Sequence, residues 1–506
     1  REEVTNNRGG WAKLEFSKTE HLTSEGYFTY LKEFKGGHSL NAVAGYSYFE
    51  KNGENFNAEN YDFGVEGLKY WDLESGSYLT DGKAKMGSKK DITERLFALY
   101  ARANYSYNDK YMVTATIRHE GSSKFAAENR WGNFWALSGG WRVSGEEFMK
   151  EFDWVNDLKI RFGYGVTGNN DFDASYMANT LSRDQYWMLP SGSWAFVYGP
   201  SSNVNPYLGW EEKKEWNIGV DYSFFGNRMY GKFDYYRRKI DGMIYEVNVP
   251  QPPYPNGKQW QNIGEMESKG WEFEVGGDII QNKDFTWTSS LNMSHNSGKI
   301  LTMYGNNSRM DGNAMDEPGW PGDASRIEEG AEIGAFHMWK FAGFDDKGDF
   351  LLYNKDGEVI PASQKSVDDK QYIGNYLPKV MMGWNNTFTY KNFDLGINMR
   401  SWIGFDVLNT YPMYLGAGQW NLWKPALDDP KYKDIRGVKQ LCDYFLEDGS
   451  FLKIDAITLG YTLALSKYTK WAERLRVYGT VGNVATITGY SGHNPEVNIT
   501  GWEGGV

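Results

Sequence analysis

The sequence predicts an all-β chain: a transmembrane antiparallel β-barrel of which these 506 residues form part, with short turns at one end of its strands and long loops at the other. Three observations carry this. Segments with alternating apolar and polar residues recur along the chain. Their connections are either very short or very long, the asymmetry of barrels whose short turns face the periplasm and whose long loops face outside. No run of about 18 apolar residues occurs, which excludes a helical membrane protein. The mean hydropathy of −0.64 leaves a barrel open, because half of each barrel strand and all of each loop are polar.

In chain order, strands at 25–34 and 39–50 join at Gly36-Gly37, and a long connection covers 51–90. Strands 93–107 and 110–120 join at Asn108-Asp109, 214–224 and 228–239 at Phe225-Gly226-Asn227, 270–281 and 285–296 at Asn282-Lys283-Asp284, and 382–390 and 393–402 at Lys391-Asn392. Each junction carries the Gly, Asn or Asp that tight turns use for positive φ. Long connections fall at 168–210, 241–269, 297–381 and 404–449.

Side chains on a strand point alternately to its two faces. Phe97, Leu99, Ala101, Ala103, Tyr105 and Tyr107 share one face, against Leu96, Ala98, Tyr100, Arg102, Asn104 and Ser106 on the other. Leu158, Ile160, Phe162, Tyr164 and Val166 alternate with Lys159, Arg161, Gly163, Gly165 and Thr167, and Trp216, Ile218, Val220, Tyr222 and Phe224 alternate with Glu215, Asn217, Gly219, Asp221 and Ser223. Trp271, Phe273, Val275 and Ile279 alternate with Glu272, Glu274, Gly276 and Asp278. Charges on the polar face of nearly every strand suit a wide, wet lumen. Aromatics cluster at strand ends, as with Tyr105, Tyr107 and Tyr111 or Tyr222, Phe224 and Phe225. Such rings form girdles at headgroup level. A soluble sandwich would also alternate, and aromatics favour strands in general.

The net charge of −12 argues against nucleic acid, which demands a basic stripe. The single Cys442 can make neither an internal disulfide nor a cysteine metal cluster. Arg1-Glu2-Glu3-Val4 carries no signal peptide, which an outer-membrane protein needs, so upstream sequence is expected. About fifteen strands are counted, against roughly 22 in the large plugged transporters. Open ladders are not viable in lipid, so residues 1–506 are expected to be the C-terminal portion of a larger barrel, with the plug domain and first barrel strands not present in this chain.

Several stretches resemble the SusC/RagA family of TonB-dependent outer-membrane transporters. They include Tyr105-Ser106-Tyr107-Asn108-Asp109-Lys110-Tyr111, then Gly121-Ser122-Ser123, Gly140-Trp141-Arg142 with Glu147-Phe148-Met149, and Tyr164-Gly165-Val166-Thr167-Gly168-Asn169. Further on stand Asn205-Pro206, Lys269-Gly270-Trp271-Glu272, Asp448-Gly449-Ser450-Phe451-Leu452-Lys453, Leu475-Arg476-Val477-Tyr478, and Tyr490-Ser491-Gly492 with Pro495-Glu496. Each motif is weak alone; their common order over most of the chain is specific. His119 and Glu120 depart mildly from the family pattern, and no closing strand with a terminal aromatic stands before Gly504-Gly505-Val506.

The resemblance implies a plugged barrel in the bacterial outer membrane, in contact with lipid and lipopolysaccharide. It implies coupling to TonB through an N-terminal region, a SusD-like surface lipoprotein as lid, and active import of an oligosaccharide or peptide ligand. Pairing of transporter–lid units into a dimer is also open. No covalent chemistry, cofactor or metal is expected. A soluble secreted carbohydrate-binding protein or hydrolase and a passive porin-type barrel are the alternatives.

Gly163-Tyr164-Gly165-Val166-Thr167-Gly168 spells the dinucleotide fingerprint, yet Asn169-Asn170-Asp171-Phe172-Asp173 opens no helix. Asp345-Asp346-Lys347-Gly348-Asp349 and Asn354-Lys355-Asp356-Gly357-Glu358 miss the spacing of a calcium-binding EF-hand and read as hairpin turns. The six histidines form no metal-ligand pair and no serine elbow occurs. The long loops carry Trp187, Trp194, Tyr198, Trp260, Trp320, Trp339, Trp420 and Trp423 among Asn, Asp and Gln. Aromatics beside amides and carboxylates suit sugar, peptide or a protein lid. These eight are the candidate substrate or lid contacts, and packing within the loops is the plain alternative for each.

Overall fold

The computed structural model describes residues 10–64, 69–173, 181–305, 309–315, 322–415, 430–432, 435, 438–467 and 469–497. One antiparallel sheet dominates. Its path runs through fourteen wall strands: β1 (Trp11–Phe34), β2 (His38–Tyr61), β3 (Glu94–Tyr107), β4 (Tyr111–Ser122), β5 (Trp131–Arg142), β6 (Val155–Asn169) and β7 (Glu211–Phe224) come first. There follow β8 (Met229–Asp241), β9 (Gly264–Gln281), β10 (Phe285–Met303), β11 (Val380–Tyr390), β12 (Phe393–Ile403), β13 (Phe451–Ala464) and β14 (Arg474–Thr488). Each strand pairs with the next in sequence, and the short Lys85–Lys90 strand pairs β2 from the side. β1 and β14 are the two ends of this path.

The one-sided connections hold. Junctions 35–37, 108–110, 225–228, 282–284 and 391–392 lie at one end, and 62–93, 170–210, 242–263, 304–379 and 404–450 at the other. Three connections depart from the pattern. Residues 143–154 and 465–473 form longer links, each opening on a short helical turn, at the short end, and 123–130 is a compact turn at the long end. Asn108 and Asp109 take φ of 51° and 54°, the paired left-handed geometry that follows a hairpin's twist. At 391–392 the positive φ of 52° falls on Lys391, and the 282–284 turn uses none.

The first hairpin is longer than its alternation suggests. β1 starts at Trp11, not near residue 25, and β2 continues to Tyr61. Residues 17–21 break the apolar alternation, because Ser17, Lys18, Thr19, Glu20 and His21 make both faces polar there. The ladder is instead dressed with Lys13–Glu15 and Lys18–Glu20 contacts at 2.6 and 2.7 Å and with Asn55 donating to Glu15 and Ser17.

The two faces of the wall separate as their chemistry demands. Leu99, Ile117, Leu137, Phe162, Ile218 and Leu459 are all exposed. So broad an apolar surface has no counterpart on a soluble monomer and belongs against lipid. The opposite face carries a ladder of ion pairs across neighbouring strands. Arg161 lies 2.8 Å from Asp221 and 3.0 Å from Asp234, Arg238 2.7 Å from Glu215, and Lys232 3.2 Å from Glu274. At the short-turn end rings gather outward, with Tyr107 and Tyr111 stacked at 6.3 Å, Trp154 and Phe224 at 5.3 Å, and Phe393 and Tyr461 at 4.7 Å.

The largest hydrophobic core lies in the outer loops. Phe336, Met338, Trp339, Phe350, Leu352, Tyr376, Leu441, Cys442 and Phe445 pack together, fully or almost fully buried. They come from the 304–379 and 404–450 connections, which join by a bridge between Trp339 and Cys442. Within this layer Asp345 accepts from the amides of Lys347 and Asp349, and Asn354 from those of Asp356 and Glu358. Both segments are the hairpin turns the sequence suggests.

Candidate functional site: the outer loops and the lumen mouth

The strands Leu181–Met188 and Trp194–Pro200 form a two-stranded hairpin in the connection between β6 and β7. Its register places Tyr186 opposite Phe196 and Met188 opposite Trp194. Alternation then puts Tyr186, Met188, Trp194, Phe196 and Tyr198 on one face and Trp187 on the other. All six side chains are more than half exposed, and the Tyr186 and Phe196 rings are in contact at 4.3 Å. A two-stranded hairpin gains little from its own core, and Trp187, Trp194 and Tyr198 are each about two-thirds exposed.

The other candidates divide. Trp260, on the Lys258–Asn262 strand, is half-buried and packs against the Phe125, Phe172 and Leu208 cluster. Trp339 is buried in the loop core, donates Nε1–H to the Ser366 carbonyl at 2.8 Å, and has the ammonium groups of Lys365 and Lys370 at 4.6 and 4.7 Å from its ring centre. It braces the loop layer, because its ring and its N–H are already satisfied from within. Trp320, Trp420 and Trp423 lie outside the described residues.

A cleft of about 870 Å³ opens at the rim beside the ends of β11, β12 and β13. Glu328, Glu329, Glu332, Asp406 and Asp448 line it, with Lys379 as the cation among them. Burial pushes the Asp406 carboxyl up, with the charge of Asp448 adding to it and the backbone N–H of Asn375 opposing. Among the described residues no group of three His, Cys, Asp or Glu is placed to hold a metal ion.

The segment after β14 turns into the lumen. Tyr490 and Val497 pack on Phe405, Val407 and Phe451, and Ser491 gives both its amide and its hydroxyl to Glu447 at 2.9 Å. Glu496 reaches Arg400 of β12 and Lys453 of β13 at 2.9 and 2.7 Å. Arg400 and Lys453 are cross-strand partners, on the polar face. The sequence shows these residues only as motif letters, since alternation on β12 and β13 predicts a lumenal charge but not what meets it.

The fold, with a lipid-facing apolar belt around an ion-paired lumen, defines an outer-membrane β-barrel. The family model for "TonB dependent receptor-like, beta-barrel" matches residues 4–484, and the chain belongs to this family. TonB-dependent receptor P3 of Formosa agariphila is 30% identical over 97% of this chain and 50% of that protein. TonB-dependent receptor SusC of Bacteroides thetaiotaomicron is 29% identical over 82% of this chain and 43% of that protein. The chain spans about half the length of these curated relatives. The RagAB peptide transporter superposes with a TM-score of 0.80 at 24% identity, covering 96% of this chain and 53% of that one. At that identity the likeness speaks for the fold alone.

Proposed function

We propose that this chain is the C-terminal portion of a TonB-energised importer of oligosaccharides or peptides, which receives cargo beneath a SusD-like lipoprotein lid and performs no covalent chemistry. The observation that carries this reading is the aromatic hairpin at the outer rim, standing above a polar lumen. An exposed two-sided aromatic surface beside a wet channel suits a reversible contact with a lid or with cargo, because flat rings lose little conformational entropy on contact. Family membership and the likeness to SusC support the active-import form over a passive porin. The half-length match leaves room for a plug domain and further strands, which this reading places before residue 1.

The test uses the full-length protein in its own outer membrane with Trp187→Ala, Trp194→Ala and Tyr198→Ala combined. Expected is a barrel that assembles normally, shown by heat-modifiable gel mobility, but that retains the lid lipoprotein poorly and takes up labelled oligosaccharide or peptide several-fold more slowly. Uptake that continues at the wild-type rate in a strain lacking TonB would instead establish a passive pore.

A further inference from the structure

The Glu496 clamp is a carboxylate held by two cations on the lumenal wall. One Glu496 oxygen lies 2.9 Å from Arg400 Nη2, while the other accepts from Arg400 Nη2 at 3.1 Å and from Lys453 Nζ at 2.7 Å. The side chains of Lys453 and Glu496 are each 13% exposed and that of Arg400 42%, so water competes weakly at the lysine and reaches the arginine from the lumen. The wall does not saturate the cations. Arg400 Nε is buried 3.1 Å from Asp455 but makes no hydrogen bond, the angle being wrong for one. The carboxylate that completes the pair arrives on the 489–497 segment, which is no part of the sheet and crosses to β12 and β13 from beyond the end of β14.

We propose that Arg400 and Lys453 form a lumenal subsite for a carboxylate group of cargo, and that Glu496 occupies it as a tethered stand-in which cargo must displace. The subsite takes the acidic side chain or C-terminus of a peptide, or the carboxylate of a uronic acid unit. A guanidinium beside an ammonium matches both, since charge-assisted contacts to carboxylate are the strong ones and differ little between these sources. A tethered occupant lowers apparent affinity by the fraction of molecules in which the subsite is vacant. Removing it raises affinity for acidic ligands alone. The inference rests on the lumen serving as the cargo path, but its test needs neither TonB nor lid, so a failure of either leaves the result readable.

The experiment measures binding to the purified full-length protein in detergent, using an acidic hexapeptide, an oligogalacturonate and the neutral counterpart of each. Glu496→Ala is expected to bind at least one acidic probe about tenfold more tightly than the wild type, whichever arm responds naming the source. Adding Lys453→Met should abolish the gain, and neutral probes should not change. Glu496→Gln, which keeps the segment's shape, should give a smaller gain of the same sign. Equal affinity in wild type and Glu496→Ala overturns the proposal, as does a gain shared by neutral probes. Unfolding of both Glu496 variants would make this side chain a structural brace and overturn it too.

Discussion

Cys442, the sole cysteine, is completely buried in the loop core, and burial pushes its thiol up to about 12. Thiol reagents attack the thiolate. Folded protein should therefore resist maleimide at neutral pH and take up one equivalent after denaturation, and fast labelling of the folded form would contradict the packing. Glu447 behaves in the opposite sense. Burial pushes its carboxyl up, but hydrogen bonds from the Ser491 amide, Tyr432, Asn409 and the Ser491 hydroxyl outweigh this and hold it below the usual 4.5. A depressed folded value contributes stability that is present above the unfolded value and lost as pH falls through the folded one. Hydrogen exchange at Ser491 should accordingly show full protection at neutral pH and progressive loss below about pH 4.5. Glu447→Gln should reduce that protection at neutral pH by about 1–3 kcal/mol, because a neutral amide leaves one of the donors without its acceptor.

The tight turns and the outer connections were unequally legible. Asn108 and Asp109 announce their geometry, since their short side chains tolerate left-handed backbone. Asn108→Val should cost about 1–2 kcal/mol, because a β-branched side chain meets the carbonyl there, and the loss should appear as a lower unfolding midpoint with an unchanged barrel. Lys391 takes the same left-handed φ without any such signal in its side chain; the hairpin's register, set by Tyr390 opposite Phe393, fixes the backbone for it. In the 170–210 connection the aromatic positions were visible as letters, while their exposure depends on the register of the hairpin that carries them. Trp339 shows the converse. The same residue type in a similar polar loop is buried, because a strand pairing and two lysines from distant sequence close around it.

For the whole molecule, the distinction between lipid face and lumen yields the broadest expectation. Ile117 is exposed on the apolar face of β4 while Thr114 lies on its polar face opposite Asn104. Ile117→Arg should cost about 2–4 kcal/mol of barrel stability if it sits near the bilayer midplane, and Thr114→Arg should be nearly neutral. Heat-modifiable mobility and folding yield in lipid vesicles distinguish the two. A reversed order of costs would mean that the faces had been assigned to the wrong sides, and equal tolerance that neither faces lipid. The surface ion pairs of the lumen are individually weak in water, so the wall's stability rests on its backbone ladder and its apolar belt.

By itself the sequence determined the strands, their two faces, most of the turns and the side of the sheet on which long connections lie. These follow from a period of two and from turn chemistry, both written within a few neighbouring residues. Only the tertiary structure decided that the outer connections share a core, that Trp339 belongs inside it while Trp187 and Trp194 stand outside, that β1 and β2 extend past their apolar alternation, and that Glu496 completes a charge site between Arg400 and Lys453. Each of those depends on residues far apart in the chain meeting at one place, and no local pattern records which partner a charge or a ring will find.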